Sequence, residues 1–212
     1  MSGAEWIAVD WGTSNVRAWG IGADDTPVFS VASDEGMGKL TADRYPAVLS
    51  RLCEDRMPPS QQPIDVLICG MAGARQGWLE APYVETPALL AHLVEGAVSP
   101  DTTDRFRVRI LPGVCQRTTG GEDVMRGEET QLLGLLALRP GFEGPVVMPG
   151  THSKWVHVED GRIARFATAM TGELFDVLGT HSVLRHALGG ERMGASTEDG
   201  VAAGLEAGLA HP

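Results

Sequence analysis

Asp10 closes a short apolar run, Ile7-Ala8-Val9, and is followed by Trp11, Gly12, Thr13, Ser14, Asn15 and then Arg17. Apolar residues without helical spacing read as a buried strand, so the carboxylate emerges where that strand leaves the core. A carboxylate so placed can hold a hydrated Mg2+. Gly12 lets the backbone come close to a ligand, and Thr13, Ser14 and Asn15 bring hydroxyl, amide and main-chain donors that suit phosphate oxygens. Arg17 adds positive charge nearby. An ordinary hairpin turn shows the same residue types, so a second feature has to decide. Gly144–Val147 is again a short apolar strand, and it runs into Gly150, Thr151, His152, Ser153 and Lys154. Two such turns suit a nucleotide whose phosphates are gripped between two lobes, each turn offering N–H groups to the anion.

Two more stretches could take part. Ile64–Cys69 is an apolar run ending at Gly70-Met71-Ala72-Gly73, which reads as a buried parallel strand delivering a loop at its carboxyl end. Arg75, Gln76 and Trp78 follow, offering a guanidinium fork, an amide and an aromatic wall. Acids at Glu122, Asp123, Glu128 and Glu129 precede a leucine-rich helix. A helix N-terminus favours carboxylates, so capping and chemistry are both open to them. Arg17, Arg75, Arg126 and Lys154 are the cations that sit beside glycine-rich turns, where an anionic ligand would need them.

Taken together and in order, DWGTSNVRAW, GMAGARQGW, MRGEETQ and PGTHSKW resemble the 2-dehydro-3-deoxygalactonokinases, sugar-acid kinases of the actin, hexokinase and Hsp70 ATPase superfamily. The resemblance implies an α/β, ribonuclease H-like sugar kinase of two lobes, 1–118 and 119–212, using ATP and Mg2+. It implies a second lobe that continues into a glycine-rich adenosine loop, which has no match in these residues, so the adenine pocket cannot be placed on them. The expected activity is phosphorylation of 2-dehydro-3-deoxy-D-galactonate on its terminal hydroxyl, giving the 6-phosphate in galactonate catabolism. An inactive nucleotide- or sugar-acid-binding relative, or a phosphatase or polyphosphate hydrolase of the same fold, is the alternative.

The resemblance puts Mg2+ at Asp10 and the nucleotide phosphates at Gly12, Thr13, Ser14, Asn15 and Arg17 and at Gly150, Thr151, His152, Ser153 and Lys154. It puts the sugar acid at Arg75, Gln76 and Trp78, with Arg75 facing the carboxylate. In the wider superfamily a Gly-acid-Gln start of the inter-lobe helix supplies the general base. Gly127-Glu128-Glu129 falls in that place with Glu128 where Asp is usual, and Asp123 competes with it.

The elements that must position these residues follow from spacing. Strands are expected at 16–21 and 28–32, with 34–40 a plain loop. A helix capped by Thr41 should run to Arg56 and stop at Pro58-Pro59, with Tyr45, Val48, Leu49 and Leu52 on one face. A short helix is expected at 86–95, a strand at 106–111 and a domain boundary at 116–121. The stretch 122–139 reads as a loop running into a helix that is apolar nearly all round and so buried between lobes. A hairpin turning at Glu159–Arg162 and a helical segment from Met170 through Leu188 complete the pattern.

Composition bounds the partners. The chain has 212 residues of which 43% are hydrophobic, enough for a packed core in one large or two small domains. Its formal charge of -11 argues against nucleic acid and anionic membrane as partners. Cys53, Cys69 and Cys115 show no paired spacing and read as reduced thiols, and the histidines show no metal-ligand pattern. No stretch suits a leader or a membrane span, so the cytoplasm is the expected compartment. A small-molecule acid and ATP are the expected partners, with a homodimer left open.

Overall fold

The computed structural model describes residues 3–57, 62–186 and Glu206. Ile7, Val9 and Trp11 alternate inward along β1 (Trp6–Trp11), the pattern of a strand packed over a core. The chain turns through 12–15 into antiparallel β2 (Val16–Ile21), and β3 (Pro27–Ser33) extends the meander. After α1 (Tyr45–Cys53), β4 (Ile64–Gly70) lies parallel to β1. β5 (Tyr83–Glu85), β6 (Ala88–Leu89), β7 (Phe106–Ile110), β8 (Gly113–Gln116) and β9 (Asp123–Met125) follow, then α2 (Glu128–Leu138). β10 (Gly144–Met148), β11 (His152–Glu159), β12 (Arg162–Met170) and α3 (Gly172–His181) come last.

The strands form sheets in the orders β3-β2-β1-β4-β7, β10-β11-β12-β6 and β5-β8-β9. In the first, the antiparallel meander joins a parallel set, β1, β4 and β7, which is ribonuclease H-like topology. Parallel strands buried on both faces leave their carboxyl ends to present loops. Helix α1 packs Tyr45, Val48, Leu49 and Leu52 into this sheet's core with Trp11, Ile68 and Ile110. Each such side chain contributes roughly 1.5 to 3 kcal/mol by burial. The chain divides into two compact units, Met1–Met148 with Lys154–Ala169, and Pro149–Ser153 with Met170–Pro212.

Several local expectations need correcting. Thr41 makes no side-chain cap: a 3-10 turn at Ala42–Arg44 leads into α1, and another at Glu54–Arg56 follows it. Pro58-Pro59 lies outside the described residues, as does everything from 187 onward except Glu206. In place of the helix expected at 86–95, Ala88 and Leu89 pair with β12, and a 3-10 turn spans Leu90–Gly96. Leu90 and Leu93 are buried three apart, a spacing that a 3-10 turn satisfies as well as an α-helix.

Helix α2 begins at Glu128 because 123–125 are drawn into β9, which pairs with β8. The expected boundary at 116–121 is therefore the connection of that β8–β9 pair. Nor is α2 buried all round: Glu129 and Leu132 are its buried residues, and Leu138 is 83% exposed. An all-apolar pattern says nothing about which face packs. The hairpin between β11 and β12 is as expected, with positive φ at both Asp160 and Gly161, the backbone that a two-residue turn needs.

The segment expected as a plain loop is tied to the Gly12 turn. Gly36, Met37 and Gly38 donate their N–H groups to the carbonyls of Ser14, Gly12 and Thr13 at 3.2, 3.0 and 2.9 Å. A Cβ on residue 36 would sit 2.3 Å from the Ser14 carbonyl carbon and 2.4 Å from the Thr13 oxygen. Gly36→Ala should therefore push the two segments apart and cost about 1 to 3 kcal/mol of unfolding free energy by urea titration. An unchanged midpoint would show that the loop adapts freely.

Candidate functional site

The Gly12 turn has its carbonyls tied off by backbone hydrogen bonds. Its own Gly12 N–H closes on the Asn15 carbonyl at 2.8 Å, and the carbonyls of Gly12, Thr13 and Ser14 are taken by the 36–38 segment. The Trp11 indole N–H holds that segment by donating to the Glu35 carbonyl at 3.1 Å. With the negative ends of these peptides turned inward, the exposed residues Thr13, Ser14 and Asn15 offer hydroxyl, amide and N–H groups. Asp10 stands directly across β2 from Arg17. Burial pushes the Asp10 carboxyl above its usual range, and the Arg17 charge pulls it back down.

Asp10 also lies against the neighbouring strand end, which the start of α2 approaches in turn. Gly70 closes β4 at φ 90, and a Cβ there would lie 2.7 Å from the Trp11 carbonyl oxygen and 3.4 Å from Asp10 Oδ1. Gly127, at φ 111, packs against Gly70 so closely that its Cβ would be 3.4 Å from the Gly70 Cα. Neither conformation suits an L side chain. Three chain segments thus converge at the carboxyl ends of β1 and β4.

The acids at α2 divide the work between them. Glu128 is half-buried, and its Oε2 accepts the Arg126 N–H at 3.2 Å. Asp123 is on β9, its Oδ1 accepting from the Val124 N–H at 2.7 Å and the Thr168 hydroxyl at 2.8 Å. Glu129 is 0% exposed, and both of its carboxylate oxygens accept the Gly127 N–H at 2.8 Å. Burial pushes the Glu129 carboxyl up to about 7, its hydrogen bonds to the backbone opposing that rise. Sequence reasoning grouped Glu129 with the capping acids. Its helical phase, three residues before the buried Leu132, is the signal that could have separated it.

The second turn repeats the first one's device. Gly172 and Glu173 at the start of α3 donate N–H groups to the carbonyls of Gly150 and Thr151 at 3.2 and 3.0 Å. Ser153 and Thr171 share a hydroxyl hydrogen bond at 2.6 Å, and His152 Nε2 meets Glu173 Oε2 at 2.5 Å. Lys154 departs from expectation. It is 6% exposed, with Nζ donating to the Val124 carbonyl and the Thr168 hydroxyl, both at 2.7 Å, so its charge ties β11 to β9 and β12.

Arg75 and Gln76 are exposed on the loop after β4. Trp78 is no open wall: it is 9% exposed, stacked on Tyr45 at 5.5 Å and edge-on to Trp11 at 6.3 Å. Its remaining edge borders a cavity of about 460 Å3 shared with Asp43, Leu79 and Asp101. Aromatic burial decides its place, as the Trp11-Tyr45-Trp78 cluster fills the core beside β1. Burial also pushes the Cys69 thiol up to about 12, which leaves it unreactive beside Asp10. No helix among the described residues is long and apolar enough to cross a membrane.

The fold defines a ribonuclease H-like α/β protein. The 2-keto-3-deoxy-galactonokinase family model matches residues 10–212, and the chain belongs to that family. It is 48% identical over 183 residues to Probable 2-dehydro-3-deoxygalactonokinase DgoK1 of Rhizobium meliloti (strain 1021), covering 86% of this chain and 59% of that one. It is 38% identical over 209 residues to the 2-dehydro-3-deoxygalactonokinase of Escherichia coli (strain K12), covering 99% of this chain and 67% of that one. A crystal structure of a candidate 2-dehydro-3-deoxygalactonokinase from Sinorhizobium meliloti superposes with a TM-score of 0.78 at 48% identity. That match covers 86% of this chain and 59% of the other, so the chain spans just under three fifths of that relative.

The Glu129 carboxyl gives a pH test. Its value in the fold, about 7, is above the ordinary carboxylate range, so the unfolded chain loses this proton first as pH rises. The stability it contributes is complete below about pH 4 and is lost by about pH 7. Glu129→Gln keeps the acceptor for the Gly127 N–H and should remove that decline, worth on the order of 3 kcal/mol, from stability measured between pH 4 and 8. A slope identical to that of the unaltered chain would assign the decline to other groups.

Proposed function

We propose that this chain carries the first phosphate site and the acid-base centre of an ATP-dependent kinase for 2-dehydro-3-deoxy-D-galactonate, acting on its terminal hydroxyl in galactonate catabolism. The observation that carries the reading is the convergence of Asp10, the carbonyl-tied Gly12 turn and the start of α2 at the carboxyl ends of β1 and β4.

Among the described residues no group of three or more His, Cys, Asp or Glu could cage a metal. Mg2+ is typically bound through one or two carboxylates plus phosphate oxygens and water, and the half-buried Asp10 supplies such a carboxylate beside the Gly12 turn. Asp10 is the residue that would hold it, and the ion would neutralise charge on the transferring phosphoryl group. Thr13, Ser14, Asn15 and Arg17 would hold phosphate oxygens by hydrogen bonds and charge. Gly150, Thr151, His152 and Ser153 are proposed as a second phosphate turn, because the Gly150 and Thr151 carbonyls are tied off in the same way. Arg75 and Gln76 would reach hydroxyls of the sugar acid. Glu128 would take the proton of the attacking hydroxyl, since Asp123 is already engaged by Thr168 and the Val124 N–H.

Asp10→Asn keeps shape and hydrogen bonding but removes charge. It should lower sugar-acid-dependent ADP release by ~100-fold or more with an unchanged melting temperature. Near-normal turnover with ordinary Mg2+ dependence would make the first hairpin purely structural. Glu128→Gln should reduce kcat by ~100-fold, shift KM little and remove the acidic limb of the pH profile. The same signature in Asp123→Asn instead would transfer the role of base.

A further inference from the structure

Of the four cations beside glycine-rich turns, Arg17 faces Asp10, Lys154 is tied into the sheet, and Arg75 stands exposed on its loop. Arg126 is different. It joins β9 to α2, and its Nη2 donates to the Ala81 carbonyl at 2.9 Å while the guanidinium lies 4.3 Å over the Tyr83 ring. Its Nε and Nη1 are buried and have no hydrogen-bond partner. Among the described residues no carboxylate lies within salt-bridge distance of it. Glu129 is the carboxylate nearest in effect, and its oxygens are already occupied by the Gly127 N–H. A buried guanidinium with unused donors calls for an anion to complete it.

Its place relative to Asp10 fixes which anion. A Cβ on Gly73 would lie 2.9 Å from Arg126 Nη1, whereas one on Gly70 would lie 3.4 Å from Asp10 Oδ1. Asp10 and Arg126 therefore stand at opposite ends of the Gly70–Gly73 loop, whose last three residues form a 3-10 turn rising about 2 Å per residue. The separation is at most about 15 Å, summing the 3-10 rise and the two side-chain approaches. An extended six-carbon acid measures roughly 7 Å from its carboxyl carbon to its terminal oxygen, at ordinary bond lengths. With a hydrogen bond at its carboxylate and a phosphoryl group at its terminal oxygen, such a molecule is long enough to span the two, provided the loop after β4 gives way to admit its carboxylate to the buried guanidinium.

We propose that Arg126 is the carboxylate-binding residue for the sugar acid, in place of Arg75. This rests on the kinase reading. In it, the carboxylate completes the unused donors of Arg126, and Gly73 is small so that the guanidinium can pack against the loop after β4.

The test compares 2-dehydro-3-deoxy-D-galactonate with the 3-deoxyhexulose in which CH2OH replaces the carboxylate. In the unaltered chain, the Arg126 Nε–H resonance should move when the acid is added and stay put with the alcohol. Arg126→Gln should reduce the preference for acid over alcohol about 10- to 100-fold and leave the affinity for ATP alone. Arg75→Gln should weaken both compounds alike. If Arg126→Gln does not fold, Arg126→Lys, which keeps the charge but loses the fork, should still show a reduced preference. Acid binding with a stationary Arg126 resonance, or a preference lost only in Arg75→Gln, would overturn this assignment and leave the kinase reading standing. Binding of neither compound by the unaltered chain would overturn both.

Discussion

Everything at the site depends on how closely three backbone segments approach one another at the carboxyl ends of β1 and β4. Gly70 lies against the Trp11 carbonyl and Asp10, and Gly127 lies against Gly70, both at positive φ. A side chain at either position would force the start of α2 away from the sheet. Because none is there, the start of α2 lies directly against the end of β4. The buried Glu129 fixes the same turn from inside, through the Gly127 N–H.

Turns proposed to face phosphate have an electrostatic difficulty, because each peptide presents a carbonyl as readily as an N–H. Here both turns meet it in one way. The 36–38 segment takes the carbonyls of Gly12, Thr13 and Ser14, and the start of α3 takes those of Gly150 and Thr151. On the proposed reading, this is how a protein with a net charge of -11 would favour a polyanion locally without a large basic patch.

Aromatic packing supports the first turn from beneath. Trp11 is fully buried against Tyr45 and Trp78, yet its indole N–H reaches the Glu35 carbonyl and so pins the segment that ties off the turn. Core and site therefore share a residue, and loosening the cluster would loosen the phosphate turn with it.

Much of this was legible in the sequence, because local rules fix it. The strand ending in Asp10, the antiparallel return through Val16–Ile21, the parallel strand leading to Gly70 and the hairpin at Asp160-Gly161 each follow from apolar period and turn chemistry. Four motifs sufficed for the family. What only the tertiary structure decided are the contacts between residues far apart in the chain. Trp78 became core because Tyr45 and Trp11 meet it, Lys154 was consumed by Val124 and Thr168, and residues 123–125 became a strand because β8 lay beside them. Residues 34–40 read as an ordinary connection since a run of polar residues and glycines carries no record of the carbonyls it will meet. Burial of Glu129 and the unused donors of Arg126 likewise depend on what packs around them, and no pattern along the chain encodes that.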